Sequence, residues 1–119
     1  MKTVYLVTGA LGHLGSTIVR RLVERGETVR GFALPSDTSP ALDDVDAVIV
    51  RGDVTQPKSL EAHFDGTDGW DVIVIHAAGI VSIASRFQEK VFDVNVRGTA
   101  NVIQACRRHR VKRLVYVSS

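Results

Sequence analysis

The sequence predicts an α/β fold: a doubly wound parallel sheet of five strands in the order 3-2-1-4-5, with helices on both faces. Three observations carry this. Apolar runs alternate with amphipathic helical patterns along all 119 residues. A glycine-rich turn, Gly9-Ala10-Leu11-Gly12-His13-Leu14-Gly15, separates the first apolar run from the first helical pattern. The fourth run, Asp71-Val72-Ile73-Val74-Ile75-His76, is apolar throughout its middle, which suits a strand covered on both faces.

The elements follow in order. Residues 3–8 read as a strand. Residues 13–25 read as a helix, with Leu14, Ile18, Val19, Leu22 and Val23 towards the core and Arg20, Arg21, Glu24 and Arg25 towards water. Gly26 stops it. Residues 28–34 form the second strand, and Pro35-Ser36-Asp37-Thr38-Ser39-Pro40 is a loop by its turn chemistry. Ala47-Val48-Ile49-Val50 reads as a short buried strand, with Asp53 near its end. Residues 56–61 open a short helix, with Pro57 suited to the first turn. After the fourth strand, residues 84–109 read as one long helix with two apolar stripes. One stripe holds Phe87, Val91, Val94, Gly98, Val102 and Ala105; the other holds Phe92, Val96, Thr99, Ile103 and Cys106. The first faces the sheet, and the second is free for more chain or another subunit. Leu114-Val115-Tyr116-Val117 is the fifth strand.

The glycine turn has a specific chemistry. A helix N-terminus offers unpaired amides and the positive end of its dipole, and so attracts phosphate. Gly9 permits the tight turn, Gly12 lets a diphosphate approach the backbone, and Gly15 lets the helix pack on the strand. Strand, glycine turn and helix in that order predict a Rossmann-type dinucleotide site, although the spacing is Gly-x-x-Gly-x-x-Gly; the alternative is a cluster of turn glycines with no ligand. The ligand crevice is expected at the carboxyl ends of strands one and four.

Composition narrows the function classes. Hydrophobic residues make up 45% and charged residues 24%, the values of an ordinary globular domain. A chain of this length buries roughly two-thirds of its unfolded surface. No apolar run approaches the ~20 residues of a membrane span, so no membrane partner is expected. The net charge of +2 does not argue for nucleic acid. The cluster Arg107-Arg108-His109-Arg110-Val111-Lys112-Arg113 reads as cations complementing a helix C-terminus. The single cysteine, Cys106, and a start that enters a strand directly fit a cytoplasmic protein. His76 reads as a strand-end residue with a satisfied ring, and no residues stand at metal-ligand spacing.

Five motifs together resemble the extended short-chain dehydrogenase/reductase family, of the NAD-dependent epimerase/dehydratase type: the Gly9/Gly12/Gly15 turn, Gly52-Asp53-Val54, His76-Ala77-Ala78-Gly79, Val94-Asn95-Val96-Arg97-Gly98-Thr99 and Leu114-Val115-Tyr116-Val117-Ser118-Ser119. The resemblance covers the whole chain and implies NAD or NADP as cofactor. It also implies a small-molecule substrate, a nucleotide sugar or related carbonyl or hydroxyl compound. Backbone at His13 and Leu14 would meet the pyrophosphate, and Asp53 and Val54 the adenine. Ala77, Ala78 and Gly79 would line the ribose and the path to the nicotinamide. Asn95 would hold the loop near the ribose or active site, and Ser119 falls at the catalytic Ser/Thr position. Three of these assignments have a structural alternative: a turn aspartate at 53, close packing at 77–79, a bond to helix backbone at Asn95.

Two departures stand out. The family's cofactor choice is set near the end of the second strand, where an acid favours NAD and an arginine NADP. Here Phe32-Ala33-Leu34-Pro35 has neither, leaving Ser36 or Asp37 to reach the ribose; without an arginine the balance leans to NAD. The family's Tyr-x-x-x-Lys pair is also missing, because Tyr5 and Tyr116 lie on strands without the lysine. The chain is therefore expected to be one domain, residues 1–119, the amino-terminal cofactor-binding portion of a longer enzyme and inactive alone. Its fifth strand would be a bare edge, covered by further chain or by a second subunit in a homodimer. A non-catalytic NAD(P) sensor is the alternative function.

Overall fold

In the computed structural model, which describes residues 2–78 and 93–117, β1 (Thr3–Thr8) lies at the centre of a five-stranded sheet. The order is β3-β2-β1-β4-β5 and every pairing is parallel. β2 (Thr28–Ala33) and β4 (Asp71–His76) flank β1, pairing Val7 with Gly31 and Ile75. β3 (Val48–Arg51) and β5 (Arg113–Tyr116) are the two edges. The order predicted from the alternation of elements is the order found.

Alternation along β1 divides the core. Val4 and Leu6 point to one face, where they pack with Phe32, Leu60, Phe64, Val72, Val74 and Val102. Val7 points to the other, with Tyr5 beside it, against Val19 of α1 (His13–Glu24), Val29 and Leu42. α3 (Gly98–Arg108) and the short α2 (Pro57–Glu61) supply the first face and α1 the second. Pro57 opens α2, as its fixed φ favours.

Both long helices end in the same way. The amide two residues past each cap returns to the carbonyl five residues earlier: Glu27 to Leu22 at 3.0 Å and Val111 to Cys106 at 3.1 Å. The turn residue is Gly26 in the first case and Arg110, with φ +52°, in the second. The basic cluster beyond α3 is tied down: Arg108 and His109 both reach Glu61 at 2.6 Å, and Lys112 lies 3.6 Å from Asp71.

The structure corrects three expectations. β3 is not a buried strand: it is an outer edge, and Val48 is 64% exposed. The predicted order already places it at an edge, but an apolar run does not tell how much of an edge strand is covered. In α1, Val19 is buried and Ile18, Leu22 and Val23 pack against the core beside it as expected, but Leu14 is 48% exposed in the first turn. The second stripe of α3 is split, with Cys106 buried but Val96 and Ile103 exposed. Of the predicted long helix, residues 84–92 lie outside the described residues, and 93–97 form a π turn before α3. The Thr99 hydroxyl donates to the Asn95 carbonyl, four residues back, at 2.7 Å.

Candidate functional site

A cleft of about 560 Å³ opens at the carboxyl ends of β1 to β4, where the chain crosses from one half of the sheet to the other. Its floor is bare backbone. Gly9 has φ +63°, and a Cβ there would sit 2.8 Å from the Ala77 carbonyl oxygen and the Ala78 amide nitrogen. The turn after β1 and the end of β4 can therefore touch only if residue 9 is glycine. A Cβ on Gly15 would meet the Gly9 carbonyl oxygen at 1.9 Å, so α1 rests directly on the turn. Gly12 is the N-cap of α1 and no side chain caps the helix. The first-turn amides have no intrahelical acceptor and no side-chain substitute, the condition for holding an external anion.

One buried hydroxyl organises this floor. Thr8 Oγ1 accepts the Ala77 and Ala78 amides, each at 3.0 Å, which occupies both lone pairs. Its own proton goes to His76 Nδ1 at 2.7 Å. Nδ1 must then be bare, so Nε2 carries the ring proton and donates to Thr99 Oγ1 at 3.0 Å. Thr99 passes its proton to the Asn95 carbonyl. Donor counting thus assigns one tautomer and one direction to the whole chain. His76 is 1% exposed, and burial pushes its imidazole down to about 4. It is a neutral strut between β1, β4 and α3, the satisfied ring the sequence led us to expect.

The far wall is built around Asp53. Its Oδ1 accepts the Thr55 amide at 2.9 Å and the Thr55 hydroxyl at 2.7 Å, a tight aspartate turn. The Ser59 hydroxyl holds the Asp53 amide and carbonyl at 2.9 and 2.8 Å. A Cβ on Gly52 would strike the Phe32 ring, which lines the cleft. Asp53 is therefore a turn aspartate that also lines the cleft. Beside it, the loop after β2 contributes Leu34, Ser36 and Asp37.

The fold brings Gly9, Gly12, Asp53, Val54, Ala77 and Ala78 together on the cleft. His13 and Leu14 open α1 and are exposed; Gly15 is buried in the helix–turn contact rather than on the lining. Asn95 adjoins Val94, which lines the cleft. Gly79 and Ser119 lie outside the described residues. Sequence reasoning missed Thr8, Thr55, Val94 and Leu11. For Thr8 a signal existed, since a hydroxyl at the buried end of a central strand needs partners. Among the described residues no group of three or more His, Cys, Asp or Glu could hold a metal ion, and no helix is long and apolar enough to cross a membrane.

Sheet order, glycine floor and cleft position define a Rossmann-fold domain of the extended short-chain dehydrogenase/reductase type. The sequence profile of the 3-beta hydroxysteroid dehydrogenase/isomerase family matches residues 6–119, and the chain belongs to that family. Among curated relatives, sterol demethylase protein B of Methylococcus capsulatus is 40% identical over 96% of this chain and 34% of its own length. Human 3 beta-hydroxysteroid dehydrogenase type 7 is 38% identical over 99% of this chain and 33% of its own. The chain thus spans about a third of these relatives. Among solved structures, UDP-glucose 4-epimerase of Thermus thermophilus in complex with NAD superposes with a TM-score of 0.84 at 28% identity. It matches 98% of this chain and 37% of the epimerase. A short-chain dehydrogenase/reductase superfamily protein of Agrobacterium tumefaciens with bound NAD gives 0.77 at 31% identity, over 98% of this chain and 32% of its own.

Proposed function

We propose that the cleft binds NAD(P), and that the whole protein is an NAD(P)-dependent oxidoreductase, epimerase or dehydratase of the extended short-chain type. The observation that carries this is the side-chain-free floor: Gly9 against Ala77 and Ala78, beside the uncapped start of α1. A diphosphate would lie on the amides of His13 and Leu14. The adenosine would lie between the Asp53–Val54 wall and the loop after β2, and Ala77, Ala78 and Gly79 would border the path to the nicotinamide.

When bound there, the nicotinamide would supply or accept hydride at a substrate carbon that bears a hydroxyl or carbonyl oxygen. Ser119 would hydrogen-bond that oxygen, and Asn95 would hold the loop near the ribose or active site. The remaining proton-transfer group belongs to a Tyr-x-x-x-Lys pair that these 119 residues do not contain. Tyr116 does not replace it: its ring lies 5.8 Å from that of His76, at the end of β5. These residues are thus the cofactor portion, inactive alone. The substrate is a nucleotide sugar or a related carbonyl or hydroxyl compound. The hydroxysteroid dehydrogenases among the relatives favour a ring-bearing alcohol. A cytoplasmic homodimer fits the free Cys106 and the exposed Val96 and Ile103.

Calorimetric titration with NADH and NADPH tests the proposal. We expect binding, and we expect Gly12→Val to abolish it while circular dichroism stays unchanged. A valine Cβ there would lie only 3.3 Å from the Gly9 carbonyl oxygen, inside the space proposed for the diphosphate. No heat with either nucleotide at millimolar ligand, or unchanged affinity in the variant, would overturn it.

A further inference from the structure

We infer that Asn101, on α3, is a positioning residue for the adenine end of the cleft: it holds the Val54 carbonyl and so fixes the Val54 amide as a donor to the bound base. The inference rests on the reading of the cleft as an NAD(P) site, and adds to it a residue outside the described lining. Asn101 Nδ2 donates to the Val54 carbonyl at 2.8 Å, across 47 positions of chain. Only the side-chain nitrogen can donate to a carbonyl, so the contact also fixes which way the Asn101 amide is turned.

Val54 lines the cleft, while its side chain belongs to the buried core with Leu60, Val74 and Val102. Two of the three amides at residues 53–55 are satisfied within the wall: Asp53 donates to the Ser59 hydroxyl and Thr55 to Asp53 Oδ1, each at 2.9 Å. The third, the Val54 amide, has no acceptor among the described residues. A backbone amide at the margin of the core needs one, and a ligand on the cleft can supply it.

Two peptide planes meet at Val54, and both are pinned. The plane before it is held through the Asp53 carbonyl, which accepts the Ser59 hydroxyl at 2.8 Å and the Gln56 amide at 2.9 Å. The plane after it is held at both ends, the Val54 carbonyl by Asn101 and the Thr55 amide by Asp53 Oδ1. A planar trans peptide leaves only φ and ψ free, so fixing both planes fixes the direction of the Val54 N–H. The other partners lie within six residues of Asp53. Asn101 ties the wall to α3, the helix whose Thr99 braces the cleft floor through His76. The loop beside the wall has its own clamp, since Arg51 donates to the carbonyls of Leu34 at 3.0 Å and Asp37 at 2.8 Å. A change at Asn101 therefore acts on the base and leaves that loop in place.

The test is calorimetric titration of the whole protein with NAD+ and with its hypoxanthine analogue, with melting temperature as the folding control. Hypoxanthine carries a ring N–H where adenine has a bare ring nitrogen, and a carbonyl oxygen in place of the amino group. It cannot accept from the Val54 amide at that nitrogen and donates nothing to Asp53 from the replaced amino group. Wild type should prefer NAD+ by about tenfold or more. Asn101→Leu keeps the side-chain size and removes the donor. NAD+ binding should weaken about three- to tenfold, the worth of one well-aimed hydrogen bond, and the preference should fall to within about threefold. Asn101→Ser, too short to reach Val54, should show the same two changes, should Asn101→Leu fail to fold. An equal loss of both nucleotides with the preference kept makes Asn101 a support of the fold alone and overturns the inference. Unchanged NAD+ affinity in the folded variants overturns it as well. Equal binding of the two nucleotides by wild type overturns the Val54 amide as the donor while leaving the cofactor site standing. Binding of neither by wild type defeats the parent reading, and this inference with it.

Discussion

Thr8→Val replaces one buried hydroxyl with a methyl group of similar volume at the centre of the sheet. Three groups lose their partner: the amides of Ala77 and Ala78 and the His76 Nδ1 atom. A buried polar group left unpaired costs about 1–3 kcal/mol. Ala77 and Ala78 are half-buried, so water recovers part of the loss and each costs about 1 kcal/mol. His76 is buried at 1% exposure, and its Nδ1 costs about 1–3 kcal/mol. The added methyl returns about 0.8 kcal/mol. The net loss is about 2–4 kcal/mol, a large part of the 5–15 kcal/mol that holds an average domain together. With a urea slope of about 1–2 kcal/mol per molar, the midpoint should fall by roughly 2 M. Thr8→Ser keeps the hydroxyl and should cost only about 1 kcal/mol. Nitrogen NMR of wild-type His76 should show the proton on Nε2. A Thr8→Val variant within about 1 kcal/mol of wild type would refute the network. So would a proton on Nδ1.

Two further outcomes follow from stability alone. His63 is completely buried, neither ring nitrogen has a partner, and burial with the nearby Arg30 charge holds it at about 3. Its native pKa lies below the ordinary value of 6.5, so its contribution is full above pH 6.5 and is lost as pH falls towards about 3. The slope is about 1.4 kcal/mol per pH unit, and the depressed His76 adds to it in the same window. His63→Leu should flatten urea-derived stability between pH 7.5 and pH 5 by about 2 kcal/mol, with His76 left as the remaining slope; an unchanged slope would exclude His63 as the source. Arg110 occupies the left-handed turn beyond α3 with φ +52°, and Arg110→Gly should raise stability by about 1 kcal/mol in the same assay. No gain would mean that the arginine side chain offsets its own strain.

Much of the fold was legible because its signals are local. The strand positions, the glycine turn and the parallel order follow from period, turn chemistry and alternation, and the structure matches them to within a residue or two. Where local signals are silent, the reading failed. Val48 belongs to an apolar run on a strand that the predicted order places at the edge, yet its exposure depends on what covers that edge. Ser36 and Asp37 could be named as candidates near the ribose, but their place on the cleft depends on Arg51, more than a dozen residues later. The π turn at Asp93–Arg97 was hidden in a continuous helical period.

By itself the sequence determined the dinucleotide-type frame and the family, since glycine at 9, 12 and 15 between a strand and a helix is a local backbone requirement. Only the tertiary structure decided how the cleft is held and charged. Thr8 meets His76 across 68 positions of chain, and Arg51 clamps a loop from a neighbouring strand. Such bonds join side chains that are distant in sequence, and their direction follows from how many donors and acceptors each atom has left once the strands are paired.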